Sequence, residues 1–173
     1  MYVPPAFRLE ELPEIHAAMR AARLPSLVTA TAERLMATPL PLLLAPEEGP
    51  FGTLYGHLAR ANPQWRTPPL GEAMVLFGGP EAYVTPNWYA SKAEHHKVVP
   101  TWNYVAVHAH GRAEFFEDPA RLHDVVARLT ARHEGAAPRP GNWPTRRRPS
   151  CGRSCAASSG CGCPSPGWRA SAR

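Results

Sequence analysis

The final part of this 173-residue chain lacks the side chains from which a hydrophobic core is built. Every Ile, Leu, Val, Met, Phe and Tyr lies at or before Leu129, and residues 130–173 keep only Trp143 and Trp168 as large apolar side chains. A segment with so little surface to bury does not offset the entropy lost on ordering it. We therefore predict one folded domain over residues 1–134 and a low-complexity, disordered tail over residues 135–173.

An excess of one charge sign is absent from the folded part. Residues 1–133 hold twelve Lys and Arg against thirteen Asp and Glu, whereas residues 134–173 hold seven Arg and the single acid Glu134. The overall net charge of +5 therefore comes from the tail. A globally basic domain that binds nucleic acid through its surface charge is not supported.

Cysteine is absent from residues 1–150. The four tail cysteines follow the pattern C-x3-C-x5-C-x-C, without the paired C-x2-C knuckles or the histidines of a structural zinc site. The chain also lacks an apolar segment after Met1 that would indicate a signal peptide. No apolar run approaches the roughly 20 residues of a membrane helix. These absences favour the cytoplasm, with reduced thiols and no membrane partner.

The common catalytic and nucleotide-binding motifs are missing as well. G-x-S-x-G, G-x-G-x-x-G and G-x4-G-K-[ST] do not occur, so the sequence predicts neither a hydrolase nucleophile elbow nor a glycine-rich phosphate loop.

The patterns that are present predict a mainly β fold. "LEELPEIHAAMRAARLP" has helical periodicity, with Leu12, Ile15, Met19 and Ala22 on one face. Asp118 and Pro119 indicate the start of a second helix with a buried stripe of Leu122, Val125, Val126 and Leu129. Between the helices we predict strands at 26–31, 35–44, 52–60, 72–79, 81–86 and 103–116, with the first two paired as a hairpin and Gly78–Gly79 as a turn. The absence of βαβ alternation favours a mostly antiparallel barrel with peripheral α-helices.

The stretch "NWYASKAEHHKVVPTWNY" at 87–104 is the densest in functional side chains. His95 and His96, together with His108 and His110 on the following strand, raise the possibility of a metal site. Adjacent histidines usually diverge, however, and Glu94 is the only clear carboxylate nearby. We therefore predict no metal, and interpret these histidines as polar positions of a surface or interface.

The same stretch also offers anion-binding groups. Ser91, Lys92 and Lys97, with Thr101 close behind, can make charge-assisted hydrogen bonds to a phosphate. Trp88 and Trp102 can wall an aromatic ring system, as can Tyr89. A charged surface loop whose aromatic side chains fill the core explains the same residues equally well, and the chemistry alone leaves both interpretations open.

Several long motifs, in order, resemble the PaiB family of FMN-binding negative transcriptional regulators, whose type member regulates protease synthesis and sporulation. They are "MYVPPAF" at the start, "GHLARANPQW" at 56–65 and "AYVTPNWYASKAEHHKVVPTWNYVAVHAHGRAEFF" at 82–116. The resemblance covers roughly residues 1–134. It implies an antiparallel FMN-binding split barrel that forms a homodimer with its sites at the subunit interface.

The resemblance also implies the cofactor and its contacts. FMN, or a similar flavin, is expected with its phosphate near Ser91 and Lys92. The other positions that we expect to bind the cofactor are Lys97, Thr38, Pro39, His57, Asn62, Thr101, Trp102 and Asn103.

The implied function is negative regulation of transcription by a non-catalytic flavoprotein, and DNA enters only by analogy with the family. A flavin-dependent oxidoreductase of the pyridoxamine-oxidase-like class is the alternative, and a protein that folds without cofactor is a third reading. After residue 134 the family pattern stops, and the Arg-, Pro- and Ser-rich tail suggests the hypothesis of a shifted reading frame near residues 135–145. Resequencing the gene tests this hypothesis.

Overall fold

The computed structural model describes residues 1–92, 98–135 and, as backbone, 167–171. Within them lie two α-helices, α1 (Leu12–Ala21) and α2 (Pro119–Glu134). Short 3-10 helices occur at Pro5–Phe7, Pro63–Trp65 and Pro86–Trp88. The strands are β1 (Ser26–Ala30), β2 (Leu35–Pro39), β3 (Leu43–Ala45), β4 (Thr53–His57), β5 (Ala73–Val84), β6 (Thr101–Gly111), β7 (Ala113–Phe116) and β8 (Gly167–Ser171).

The described strands form two four-stranded antiparallel sheets rather than one closed barrel. The first sheet has the order β2-β1-β5-β6 and the second has the order β3-β4-β8-β7. The chain passes from the first sheet to the second at Arg112, where β6 leads directly into β7. The predicted mainly β, antiparallel fold with peripheral helices is thus confirmed.

The main core lies between the two sheets and α1. Its buried members come from α1 and from strands of both sheets, for example Met19, Leu27, Leu54, Val75 and Phe77. A smaller cluster under α2 joins Phe116 to Val125 and Leu129. Burial of these aliphatic side chains is the main favourable term in the stability of the fold.

Two kinds of contact hold the first helix against the sheets, the packing of its apolar face and one hydrogen bond from a polar side chain. Met19 and Ala22 are buried, as the predicted stripe requires, and Ile15 packs against the same core. The buried His16 ring places Nε2 2.9 Å from the carbonyl oxygen of Phe51, so this nitrogen carries the proton and donates. The helix is shorter than the predicted "LEELPEIHAAMRAARLP".

The second helix begins as predicted. Asp118 accepts a hydrogen bond from the backbone N–H of Arg121 at 2.7 Å, and Pro119 occupies the first turn. Leu122, Val125 and Leu129 are buried, whereas Val126 is 38% exposed and so does not belong to the buried stripe.

The predicted strand at 35–44 is wrong as a single element. It divides into β2 and β3, which belong to different sheets. The reason is local, because Pro39 and Pro41 cannot donate to a ladder. Between them the buried Leu40 turns its N–H to the carbonyl of Pro25 at 2.9 Å.

The predicted turn at Gly78–Gly79 is also wrong. The strand continues as β5 from Ala73 to Val84, with a bulge between Gly78 and Glu81 in its pairing with β6. A Cβ on Gly79 would lie 2.9 Å from the Cβ of Val105, so only glycine allows this close approach. β6 in turn ends at Gly111 instead of continuing to 116.

Strand β8 lies within the region predicted to be a low-complexity tail. Its backbone pairs antiparallel with β4 on one side and with β7 on the other. The domain boundary at residue 134 and the nature of residues 136–166 stay predictions, since those residues lie outside the described part, as do Cys151, Cys155, Cys161 and Cys163. Neither described helix is long and apolar enough to cross a bilayer.

Candidate functional site

The outer end of the β5–β6 hairpin carries three of the ten residues predicted to bind a cofactor, Thr101, Trp102 and Asn103. The register places Thr101 opposite Val84, Trp102 opposite Tyr83 and Asn103 opposite Ala82. The chain leaves β5 at Val84 and carries Ser91 and Lys92 a few residues later. The hairpin therefore places Thr101, Trp102 and Asn103 next to the start of the connection that carries Ser91 and Lys92.

A short capped turn orients Lys92. Thr85 accepts a hydrogen bond from the backbone N–H of Asn87 at 3.3 Å and so caps the 3-10 helix Pro86–Trp88. The Lys92 ammonium donates to the side-chain oxygen of Asn87, and its backbone N–H donates to Tyr89 at 3.0 Å. Because the Asn87 amide is neutral, this hydrogen bond does not compensate the positive charge of Lys92. The ammonium carries two further N–H groups, and the described residues show no acceptor for them.

Exposed aromatic side chains lie at the hairpin end and in the turn itself. The rings of Tyr83 and Trp102 lie 6.1 Å apart between centroids, tilted by 54°. The Trp102 indole N–H donates to Glu81 at 3.3 Å, which fixes the ring plane. Trp102 is 55% exposed and Trp88 is 73% exposed. The alternative in which these aromatics fill the core is therefore wrong for Trp88 and Trp102, and their faces are open to a planar ligand.

A second group of predicted residues lies elsewhere, around Gln64. The Thr38 hydroxyl donates to the Gln64 side-chain oxygen at 2.5 Å and accepts from the Asn62 amide at 2.9 Å. Asn62 also accepts from the backbone N–H of Gln64 at 2.9 Å and caps the 3-10 helix Pro63–Trp65. The proton of the Thr38 hydroxyl is thus used within the protein, and Thr38 can offer a ligand only a lone pair.

Gln64 itself was not among the predicted site residues. Its side chain is 1% exposed, and its Nε2 lies 3.0 Å from the Thr29 hydroxyl, 3.2 Å from the Leu27 carbonyl and 3.3 Å from the Met36 carbonyl. This network holds the 3-10 helix against the β1–β2 hairpin. Its only sequence signal is the helix-capping pattern of Asn62 followed by Pro63, which does not reveal the burial.

The two groups are well separated within one chain. Leu27 of β1 pairs with Thr38 of β2 on one side and with Val75 of β5 on the other. Thr38 and Val75 therefore occupy the same position along the strand direction. Tyr83 and its partner Trp102 lie eight residues farther along β5, which corresponds to roughly 25 Å of strand length. Pro39, the exposed last residue of β2, belongs with Thr38.

His57 ends β4 and belongs to neither group. Its ring is partly buried, and Nδ1 is enclosed with no hydrogen-bond partner among the described residues. Burial lowers the pKa of His57 below its usual 6.5, because the charged imidazolium loses hydration. His57 is therefore neutral at pH 7.

Some residues of the predicted phosphate site and of the histidine cluster considered for a metal are not part of the described structure. Lys97, His95 and His96 lie outside the described residues. Of the other histidines, His108 is partly buried and His110 is exposed. Within the described ranges no group of three or more His, Cys, Asp or Glu side chains could hold a metal ion.

A cavity of about 840 Å³ runs along β6 from the hairpin end toward the core. Its second wall is the N-terminal segment, residues 1–9, and its floor includes α1. The lining is mainly apolar, and Thr101, Trp102 and Asn103 lie on it. The sequence did not predict that the N-terminal segment takes part in a cavity.

Comparison with known sequences finds a protein family and individual proteins that this chain resembles. A family model described as "Putative FMN-binding domain" matches residues 1–154, beyond the 134 residues of the motif resemblance. "Protease synthase and sporulation protein PAI 2" of Bacillus subtilis (strain 168) is 36% identical over 118 residues, which are 68% of this chain and 54% of that protein. An uncharacterised protein of Saccharomyces cerevisiae is 32% identical over 87 residues, or 49% of this chain and 52% of that protein. The chain spans about half the length of these curated relatives.

Solved structures share the fold. The flavocytochrome Anf3 from Azotobacter vinelandii matches with a TM-score of 0.60 and 16% identity, over 94% of this chain and 63% of that one. A "putative 5-nitroimidazole antibiotic resistance protein" from Bacteroides thetaiotaomicron matches with a TM-score of 0.55 and 13% identity, over 95% of this chain and 81% of that one. At these identities the likeness concerns the fold alone.

Proposed function

Because this chain belongs to the FMN-binding domain family, with PaiB-like relatives and FMN as cofactor, we propose that it is a cytoplasmic, non-catalytic FMN-binding regulator that represses transcription. Family membership confirms the resemblance found in the sequence motifs. The name of the Bacillus subtilis relative, "Protease synthase and sporulation protein PAI 2", refers to sporulation, and this supports a regulatory function.

The residues at the hairpin end fit the cofactor. An FMN phosphate needs cationic and hydroxyl donors, which Lys92 and Ser91 supply, and Lys92 already meets a neutral partner rather than a carboxylate. The isoalloxazine ring needs a flat apolar surface, for which Trp102 is exposed and held in orientation by Glu81. When bound, FMN supplies reversible uptake and release of electrons. In a regulator this chemistry reports redox state or flavin supply.

A homodimer is part of the proposal. The Thr38–Asn62 group and the hairpin end are separated by roughly 25 Å of strand within one chain. If both contact the same flavin, as the resemblance implies, the two groups are supplied by different copies. The exposed apolar side chains near the hairpin end, among them Trp88 and Val99, are consistent with a surface that a second copy covers. Light scattering after size exclusion should give twice the chain mass, and a monomer at micromolar concentration contradicts this part.

The route to transcription is proposed to be indirect. Residues 1–133 have no excess of basic side chains for binding DNA, since they carry slightly more acidic than basic ones. We infer that the flavin-bound protein acts through a partner rather than by reading DNA bases itself.

One observation carries the placement of the cofactor, namely that the Lys92 ammonium bonds the neutral amide of Asn87 in the turn that also holds the exposed Trp88. FMN and riboflavin differ in the phosphate, so they separate the two parts of the site. In Lys92→Gln, FMN affinity should fall about tenfold, because one charge-assisted hydrogen bond is lost. Riboflavin affinity should not change.

Flavin fluorescence quenching measures both affinities on the purified chain. Arg34→Gln is the matched control, since Arg34 is exposed at the β1–β2 turn. An equal loss for FMN and riboflavin in Lys92→Gln, or an equal effect of Arg34→Gln, rejects Lys92 as the phosphate ligand.

A further inference from the structure

The cavity along β6 has the size and the lining of a site for a small molecule. It is distinct from the turn with Lys92 at which we propose that the FMN phosphate binds. Its volume of about 840 Å³ lies within the range of roughly 300–1,000 Å³ typical of such sites. Aromatic and aliphatic side chains dominate the lining, for example Phe7, Ile15, Phe51, Tyr104 and Val107. It therefore favours the apolar body of an organic molecule.

The charged side chains on the lining are basic rather than acidic. No Asp or Glu occurs among the described lining residues, whereas Arg8 supplies a permanent positive charge. Within the described part, Arg8 forms one ion pair, with Glu10 at 4.0 Å. Both side chains are more than half exposed, so Glu10 offsets little of that charge. The lining is thus complementary to an anion rather than to a cation.

The histidines of the cavity are neutral or already bonded. His16 uses Nε2 on the Phe51 carbonyl. Burial lowers the pKa of His108 below its usual 6.5, and the positive charges of the amino terminus and His110 act in the same direction. At pH 7 His108 therefore offers an uncharged ring as an additional hydrogen-bond donor or acceptor.

We propose that this cavity binds an apolar organic carboxylate, with the hydrocarbon body against β6 and α1 and the carboxylate at Arg8. The cavity reaches Thr101, Trp102 and Asn103 at its outer end, so its occupant lies next to the surface assigned to the flavin. The ligand is a second one, bound at the same time as FMN, and it gives the protein an input besides the cofactor.

The test uses the full chain saturated with FMN and two probes of equal shape, 2-naphthoate and the uncharged 2-naphthamide. Isothermal titration calorimetry should show saturable binding of 2-naphthoate at one site per chain. Arg8→Gln should weaken 2-naphthoate about two- to fivefold, the range for a half-exposed ion pair, and should leave 2-naphthamide unchanged. Arg34→Gln should change neither probe.

Two cavity-filling variants test the location from opposite walls. Val3→Trp fills the cavity from the N-terminal segment and Ala106→Trp fills it from β6. Each should abolish binding of both probes, and retained FMN affinity shows that a variant is folded.

Several outcomes overturn the proposal. These are the absence of saturable 2-naphthoate binding, undiminished binding in the filled variants that retain FMN, and displacement of 2-naphthoate from the flavin-free chain by added FMN. The last result would identify the cavity as the flavin site. Failure of FMN binding to wild type would instead refute the proposed function, and 2-naphthoate titration of the flavin-free chain would still test the cavity.

Discussion

Arg132 should be among the most important charged residues for stability, because it connects three parts of the chain. Its Nη1 donates to the Leu42 carbonyl at 2.9 Å, and its Nη2 donates to the Arg20 carbonyl at 2.6 Å. Arg20 lies in the last turn of α1, where carbonyl groups have no partner within the helix. The guanidinium therefore joins α2 to the end of α1 and to the link between β2 and β3.

The magnitude follows from those two bonds. A hydrogen bond from a charged donor contributes about 1.5–3 kcal/mol, and an unsatisfied buried carbonyl costs about 1–3 kcal/mol. Leu42 is 6% exposed, whereas water can replace the donor at Arg20. We therefore expect Arg132→Met to lower the free energy of unfolding by about 2–3 kcal/mol. Arg132→Lys, with a single ammonium, should lose about half of that.

Urea unfolding followed by tryptophan fluorescence measures this change as a shift of the midpoint at constant slope. The control is Arg128→Met on the same helix, since Arg128 makes an exposed ion pair with Asp124 at 3.4 Å and should contribute less than about 1 kcal/mol. If Arg132→Met and Arg128→Met lower the free energy of unfolding equally, the two hydrogen bonds of Arg132 contribute no more than an exposed ion pair. The reasoning is then refuted.

Two further predictions concern buried polar side chains. Gln64→Met removes a side chain that bonds Thr38, Thr29 and two carbonyls, and we expect a loss of about 2–4 kcal/mol in the same urea assay; a loss below about 1 kcal/mol would mean that water replaces the amide. His57 has a folded-state pKa below its unfolded value of 6.5, so the unfolded chain binds more protons and stability falls as pH drops through and below 6.5. The fall in unfolding free energy between pH 7.5 and 5.5 should therefore be smaller in His57→Gln than in wild type, and an identical pH dependence contradicts the burial of a neutral His57.

Local signals explain what the sequence predicted well. The start of α2 depends on Asp118 and Pro119 alone, and both do what their chemistry predicts. The buried residues of α1 follow from a 3.6-residue repeat. Such features need no knowledge of the distant chain, and for this reason they could be predicted without it.

Tertiary partners explain what the sequence did not predict. Gly78–Gly79 has the composition of a turn, and only the pairing of β6 along both halves of β5 makes it a bulge. Gln64 is an ordinary polar residue by pattern, and its burial depends on acceptors 28 to 37 positions away. The cavity wall formed by residues 1–9 depends on the approach of β6, which lies about a hundred positions farther along the chain.

The bulge in β5 also decides which side chains share a face. Between the pairs Gly78–Ala106 and Glu81–Tyr104, β5 contains two residues and β6 only Val105. Side chains alternate strictly along a strand, so this one extra residue exchanges odd and even positions on β5 beyond it. Tyr83 consequently stands on the opposite face from Phe77, although both numbers are odd. An insertion or deletion of one residue at this point would move Tyr83 and its neighbours on β5 to the other face of the sheet. The identity of every side chain in the site would stay the same.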